Sequence, residues 1–134
     1  MSRCLIDTNI ISAYFRADPL VVVPFEKAER LYLPVIVLGE LIYGAHHSAA
    51  PEKHLRRITQ LLNIIEIIEA DLQTAMLYGK LREDMGKTGD NLPQNDWWIA
   101  ALALQHDLPL VTRDAHFSKV PGLTVHSWNA ALSA

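Results

Sequence analysis

The sequence has very little cysteine and no long apolar run. The single cysteine among 134 residues, Cys4, excludes an internal disulfide and a zinc site built from several cysteines. Because Leu5 follows it, we expect Cys4 to be a small core residue and not a nucleophile. The longest apolar runs, such as LPVIVLG and WWIAALAL, are far shorter than the roughly 20 residues that span a bilayer. The N-terminus also lacks a basic segment followed by a long apolar one. These absences predict a soluble, cytoplasmic protein.

An excess of positive charge is missing as well. The chain has 12 Lys and Arg residues against 15 Asp and Glu residues, a net charge of -3. Proteins that coat nucleic acid through bulk electrostatics need many cations to neutralise phosphates. Any activity on nucleic acid must therefore come from a local site. The length and the hydrophobic half of the composition predict one globular domain over residues 1–134.

Apolar periodicity alternates between strand and helix along the chain. It predicts strands at 3–7, 31–37, 63–68, 108–112 and 124–128, and helices at 8–15, 37–47, 51–65, 70–87 and 96–106. Segments 88–95 and 113–123 are predicted as loops, and Asn95 as the N-cap of the last helix. The alternation favours an α/β fold in which helices cover both faces of a parallel sheet.

Four acids lie where such a sheet would bind ligands. Asp7 and Asp114 follow predicted strands, Asp96 opens the apolar helix WWIAALAL, and Glu40 lies early in the helix after the second strand. In open α/β sheets ligands bind at the carboxyl ends of the strands, so all four could face one crevice. Converging carboxylates repel one another unless a cation lies between them. Oxygen ligands, with no cysteine set and no H-x-x-x-H pair, favour Mg²⁺ or Mn²⁺ over zinc.

Each acid also has a simpler explanation. Asp7 is a common helix cap, Asp96 would complement a helix dipole, and Glu40 could be a surface glutamate. Asp114 could pair with Arg113. However, a lone charge between Leu38 and Leu41 would be costly, and the four acids share one expected edge of the sheet. Taken together, they favour a site.

Four segments carry a resemblance to a known family. In order and spacing, LIDTN, LGELIYGA, GDNLPQNDWWIAALAL and LPLVTRDAHFSKVPGLTV resemble the motifs of PIN-domain ribonucleases, and among these the VapC toxins of type II toxin–antitoxin pairs. The resemblance implies a three-layer α/β/α sandwich with a central, mainly parallel sheet of four to five strands. It implies a Mg²⁺- or Mn²⁺-dependent endoribonuclease that inhibits translation until a VapB-type antitoxin binds. It also implies a homodimer.

The resemblance assigns roles by position. Asp7, Glu40, Asp96 and Asp114 fall on the acidic quartet of the family and are the implied catalytic residues. Asp7, Asp96 and Asp114 would hold the metal, and Glu40 would be a further ligand or a water-orienting base. Thr112 would contact metal-bound water or phosphate, or would only end a strand.

Several alternatives stay open at this level. The chain could be a catalytically silent PIN-fold binding module, or an RNA-processing nuclease with no antitoxin. A phosphatase or receiver domain is disfavoured because DTN replaces the D-x-D that would follow its first strand. Trp98, beside Trp97, departs from the family and is either a core contact or part of a protein interface. Two basic clusters could contact RNA or be solvated helix faces: Lys53, Arg56 and Arg57, and Lys80, Arg82 and Lys87.

Overall fold

A computed structural model describes residues 2–129 of the chain. Its strands are β1 (Arg3–Ile6), β2 (Arg30–Pro34), β3 (Glu66–Ile68), β4 (Leu110–Val111) and β5 (Val125–His126). Its α-helices are α1 (Thr8–Phe15), α2 (Pro19–Lys27), α3 (Val35–His46), α4 (Pro51–Leu61), α5 (Leu72–Gly86) and α6 (Gln94–Gln105). A 3₁₀ helix covers Ala115–Lys119. In this part of the chain no helix is long and apolar enough to cross a membrane.

The five strands form one sheet in the order β3-β2-β1-β4-β5, and every neighbouring pair is parallel. The chain moves from β1 outward to β3 and then returns to the other side of β1. Right-handed crossovers therefore place α1–α4 on one face of the sheet and α5 and α6 on the other. This confirms the predicted three-layer sandwich and makes the sheet wholly parallel. The reversal lies between β1 and β4, where such folds open a crevice at the carboxyl ends of the strands.

The sheet interior is apolar on both faces, as a covered parallel sheet requires. Leu5, Ile6 and Leu110 are fully buried, and Cys4 is buried beside them, which confirms it as a core residue. Helix α6 packs so tightly that half of its residues are buried: Trp97, Ile99, Ala100, Ala101, Leu102 and Ala103. The small alanines let this helix lie close to its neighbours, so its N-terminus is held on a rigid support.

The start of α6 was predicted wrongly. The helix begins at Gln94 and Pro93 is its N-cap, so Asn95 lies inside the first turn and does not cap it. Pro93 has backbone angles of φ -55° and ψ 153°, and the helix can begin directly after it. The asparagine amide is used elsewhere: its nitrogen lies 3.5 Å from Oε2 of Glu40.

Other differences follow from local capping and packing. Helix α2 was not predicted; Pro24 lies inside it, and the Asp18 carboxylate caps it by accepting from the Leu20 amide. The segment 113–123, predicted as a loop, contains the 3₁₀ helix because Asp114 accepts from the His116 amide. The predicted strands β3, β4 and β5 are each shortened to two or three residues.

Candidate active site

The four predicted acids line one open crevice at the carboxyl ends of β1 and β4. It has a volume of about 410 Å³ and is lined by Asp7, Thr8, Asn9, Ser12, Arg16, Glu40, Asp96 and Asp114. Each acid comes from a different element. Asp7 joins β1 to α1, Glu40 lies on α3, Asp96 lies in the first turn of α6, and Asp114 precedes the 3₁₀ helix. The tertiary structure thus brings together all four acids that the sequence singled out.

Asp7 is both a helix cap and a member of the crevice. Its Oδ1 accepts from the Thr8 amide at 2.8 Å, and its Oδ2 accepts from the Thr112 hydroxyl at 2.7 Å. Burial raises the pKa of this carboxyl, and the nearby charges of Glu40 and Asp114 add to the increase, while the two hydrogen bonds oppose it. The hydrogen bonds fix the direction of both oxygens. Capping and participation in a site are therefore compatible.

Thr112 orients Asp7 from the end of β4. Its side chain is only 1% exposed. The hydroxyl donates its one hydrogen to Asp7 and accepts from Asn9 Nδ2 at 3.2 Å and from the Asp114 amide at 3.0 Å. Because the only hydroxyl hydrogen of Thr112 is donated to Asp7, this side chain positions the carboxylates and has no hydrogen left to donate to a ligand. Direct contact of Thr112 with phosphate or metal-bound water stays a prediction.

Arg113 pairs with Asp18, so the alternative of an Arg113–Asp114 pair is wrong. The Arg113 guanidinium lies 3.0 Å from Oδ2 of Asp18 and donates to the Trp128 carbonyl at 2.7 Å. Its amide donates to the Asn9 side chain at 3.0 Å. These contacts tie the end of β4 to α1 and to the start of α2. The pKa of Asp18 is lowered by the Leu20 amide and by Arg113.

Glu40 is held by two polar residues, Thr8 and Asn95, that were not predicted to belong to the site. The Thr8 hydroxyl donates to Oε1 at 2.7 Å, and the Asn95 amide lies 3.5 Å from Oε2. Both residues directly neighbour a predicted acid, Asp7 or Asp96, and that adjacency was the signal available in the sequence. Glu40 is thereby aimed into the crevice, although it lies on an otherwise apolar helix.

Asp96 is strongly perturbed by its surroundings in the crevice. Partial burial and repulsion from Asp7, Asp114 and Glu40, in that order, raise its pKa from 3.8 to about 6. Its position in the first turn of α6 places it at the positive end of the helix dipole. A divalent cation in the crevice would remove the remaining repulsion. The electrostatics of the crevice therefore fit a bound metal.

The closest group of metal-ligating atoms includes a histidine. Ligand atoms of Asp96, Asp114 and His116 all lie within 4.8 Å of one another. His116 Nδ1 lies 2.5 Å from Oδ1 of Asp114. His116 was not among the predicted metal ligands. Asp7, predicted as a ligand, is not part of this group, and its two oxygens accept hydrogen bonds from Thr8 and Thr112. A donor set dominated by carboxylate oxygens suits a hard divalent cation.

A family model described as "PIN domain" matches residues 4–123. The chain belongs to the PIN-domain family. This PIN-domain chain is 32% identical over 103 residues to the tRNA(fMet)-specific endonuclease VapC of Salmonella typhimurium, covering 76% of the chain and 78% of that relative. It is 28% identical to the ribonuclease VapC2 of Haemophilus influenzae, covering 96% and 99%. The solved structure of DNA-bound VapBC from Salmonella typhimurium superposes with a TM-score of 0.88 at 29% identity, covering 96% and 99%. The resemblance to VapC proteins is confirmed.

Three residues of this PIN domain whose roles the sequence left open, Trp98, Arg57 and Arg82, make contacts within the chain. The Trp98 ring stacks on Tyr78 with centroids 4.0 Å apart, so the additional indole packs between α5 and α6. Arg57 lies 4.6 Å from the Phe15 ring centroid, and Arg82 lies 5.7 Å from that of Tyr78. Arg57 and Arg82 thus each pack against an aromatic ring of the same chain.

Proposed function

We propose that this chain is the toxin of a type II toxin–antitoxin pair, a Mg²⁺- or Mn²⁺-dependent endoribonuclease that a VapB-type antitoxin neutralises. The observation that carries the proposal is the convergence of Asp7, Glu40, Asp96 and Asp114 in one crevice at the switch point of the sheet. The VapC relatives are named as ribonucleases, and the solved neighbour is a VapBC complex. The proposed unit is a single domain over residues 1–134, acting in the cytoplasm, where RNA is translated.

Asp96, Asp114 and Asp7 would hold the metal. A bound Mg²⁺ or Mn²⁺ would polarise the phosphodiester and neutralise charge that develops on its oxygens. The protein's own contribution is orientation: Thr112 fixes Asp7, and the rigid apolar helix fixes Asp96. Without these supports the carboxylates would turn away from one another, because each is repelled by its neighbours.

Glu40 is the proposed general base. Thr8 and Asn95 hold its carboxylate at the crevice, where it can accept a proton from the attacking water. The oxygen of that water forms a bond to phosphorus, the bond between phosphorus and the 3′ oxygen breaks, and the 3′ oxygen takes up a proton from solvent. The products are a 5′-phosphate and a 3′-hydroxyl, the outcome expected from the family resemblance.

Protein partners are proposed from exposed apolar surface. A recess of about 330 Å³ between α1, α2 and α4 is lined in part by Phe15, Val22 and Ile64. We propose that the antitoxin covers this surface of α1 and α2. On α5, Leu72 and Met76 are 74% and 63% exposed. Apolar side chains this exposed suit a homodimer contact.

The proposed activity is tested with Asp96→Asn and a matched control, Glu52→Gln. Glu52 is also an acid in the first turn of a helix, α4, but it is exposed and lies outside the crevice. Wild type and Glu52→Gln should arrest growth of a bacterial host and cleave RNA with Mg²⁺ or Mn²⁺, and should not cleave in EDTA. Asp96→Asn should lose at least about a hundredfold in cleavage, since even outer partners of metal ligands are worth 10–100-fold.

The first RNA to test is tRNA(fMet), because it is in the name of the Salmonella relative. Co-expression of a short reading frame next to this gene should restore growth if it encodes the antitoxin. Equal toxicity of wild type and Asp96→Asn, or cleavage that EDTA does not stop, would overturn the metal-dependent mechanism.

A further inference from the structure

One face of α1 leads away from the carboxylates and ends in a cation. Thr8, Ser12 and Arg16 follow one another at four-residue spacing and line the crevice together with the acids. Arg16 is the only lysine or arginine among the described residues that line it. The crevice is thus polarised, with acids at one end and a single exposed guanidinium at the other.

A second cavity continues the crevice past this guanidinium. It has a volume of about 300 Å³, lies between α1, α3 and α4, and shares Thr8, Ser12, Arg16 and Glu40 with the crevice. We call it the side recess. Its walls are mainly apolar, with Phe15, Leu41 and Ile58 among them, and its polar lining includes Ser48, His54 and Arg57.

Arg57 is fixed in the side recess before any ligand arrives. Its guanidinium donates to the Phe15 carbonyl and lies 4.6 Å from the centroid of the Phe15 ring. A planar cation backed by an aromatic ring is a surface on which nucleobases stack. Apolar walls and a planar cation together suit a base, and suit a simple phosphate poorly.

We propose that the side recess binds the base of the nucleotide next to the scissile phosphate. Arg16 then binds the next phosphate along the strand, on the other side of that nucleotide. The inference rests on the proposed ribonuclease function. An RNA strand that enters a crevice of four carboxylates needs cations, and a protein with net charge -3 has no general surplus of them. Since crevice and recess are continuous, a single strand can lie in both. A paired strand could not turn a base into the recess, so the subsite selects single-stranded RNA.

Arg16 is tested by the salt dependence of binding, without any cleavage. The Asp96→Asn protein in EDTA serves as the inactive background, and the probe is a fluorescein-labelled 12-nucleotide single-stranded RNA of mixed sequence, followed by fluorescence anisotropy. Removing one phosphate contact should make the slope of log K against log salt less negative by about 0.7. Arg16→Ala should show this change, and Arg16→Lys, which keeps the charge, should not.

The side recess is tested by filling it. Gly44 lines the recess, and a Cβ there would meet no atom within 4 Å, so Gly44→Leu adds apolar volume at a position with space for the Cβ. Gly79→Leu is the matched control, because Gly79 also lies inside a helix with open space around it but outside the recess. In the same background Gly44→Leu should weaken RNA binding by roughly tenfold, the value of one stacked base, and Gly79→Leu should not.

The outcomes separate this inference from the proposed function. If the wild-type protein neither binds nor cleaves RNA, the ribonuclease function itself fails. If it cleaves RNA while Arg16→Ala keeps the wild-type slope, or while Gly44→Leu binds RNA as Gly79→Leu does, only the subsite is wrong. If Gly44→Leu binds RNA normally but no longer co-purifies with the antitoxin, the recess belongs to the protein partner and the inference is overturned.

Discussion

Replacing Asp96 with asparagine should make the metal-free protein more stable at neutral pH. The pKa of Asp96 is raised from 3.8 to about 6 by burial and by three neighbouring carboxylates. At about 1.4 kcal/mol per pKa unit, this shift corresponds to roughly 3 kcal/mol for a fully buried group. Because Asp96 is half-buried, solvent screening reduces the penalty to roughly 1.5 kcal/mol. Asparagine also gives up a favourable charge at the start of α6, worth about 0.5 kcal/mol. The net gain should be about 1 kcal/mol, or a rise of roughly 3–5 °C in Tm.

The stability difference between Asp96→Asn and wild type should depend on pH. Well below pH 3.8 the Asp96 carboxyl is protonated in both the folded and the unfolded chain, so it places no penalty on folding. As the pH rises from 3.8 to about 6, the unfolded chain releases the proton first, and the folded protein loses stability. Above pH 6 the loss is complete. The advantage of Asp96→Asn over wild type should therefore grow between pH 4 and 6 and stay constant above.

Urea unfolding in EDTA at pH 4.0, 5.0 and 7.5 measures this difference. Glu52→Gln is the control for the loss of a first-turn acid and should be slightly less stable than wild type. With saturating Mg²⁺ the order should reverse, because the metal stabilises only the protein that binds it. If metal-free Asp96→Asn were less stable than wild type at pH 7.5, repulsion among the carboxylates would not be the main effect of Asp96 on stability, and this explanation would be refuted.

Three further changes test the supports of the crevice and the core. Thr112→Val should lower cleavage about 10–100-fold through the loss of its hydrogen bond to Asp7, and Thr112→Ser should retain activity in the same assay. Arg113→Ala should lower kcat for RNA cleavage with little change in KM, because its contacts hold the end of β4 and do not line the crevice; a change in KM alone would contradict this role. Leu102→Ala, at a fully buried position of α6, should cost about 2–5 kcal/mol in urea unfolding, whereas Met76→Ala, at an exposed position, should change stability by less than about 0.5 kcal/mol.

Much of the fold was predictable because its signals are local. A buried strand in a parallel sheet has a continuous apolar run, and β1, with only Arg3 exposed, follows this rule. Helix α6 was likewise predicted from a continuous apolar run, WWIAALAL, because a helix that is apolar nearly all round must be buried. The error at its start arose because asparagine and proline are both acceptable before a helix, and only packing decided that Asn95 would turn toward Glu40.

By itself the sequence determined that four acids would stand at the ends of successive strand–helix units, because the carboxyl ends of parallel strands share one edge. It could not determine which side chains hold those acids. The pairs Thr112–Asp7 and Thr8–Glu40 join residues 105 and 32 positions apart, and the pairing of Arg113 with Asp18 instead of Asp114 joins residues 95 apart. Such contacts depend on the order of strands in the sheet and on the distances between helices. Only the tertiary structure decided them, since the energy of a hydrogen bond or a charge pair depends on separation in space and not along the chain.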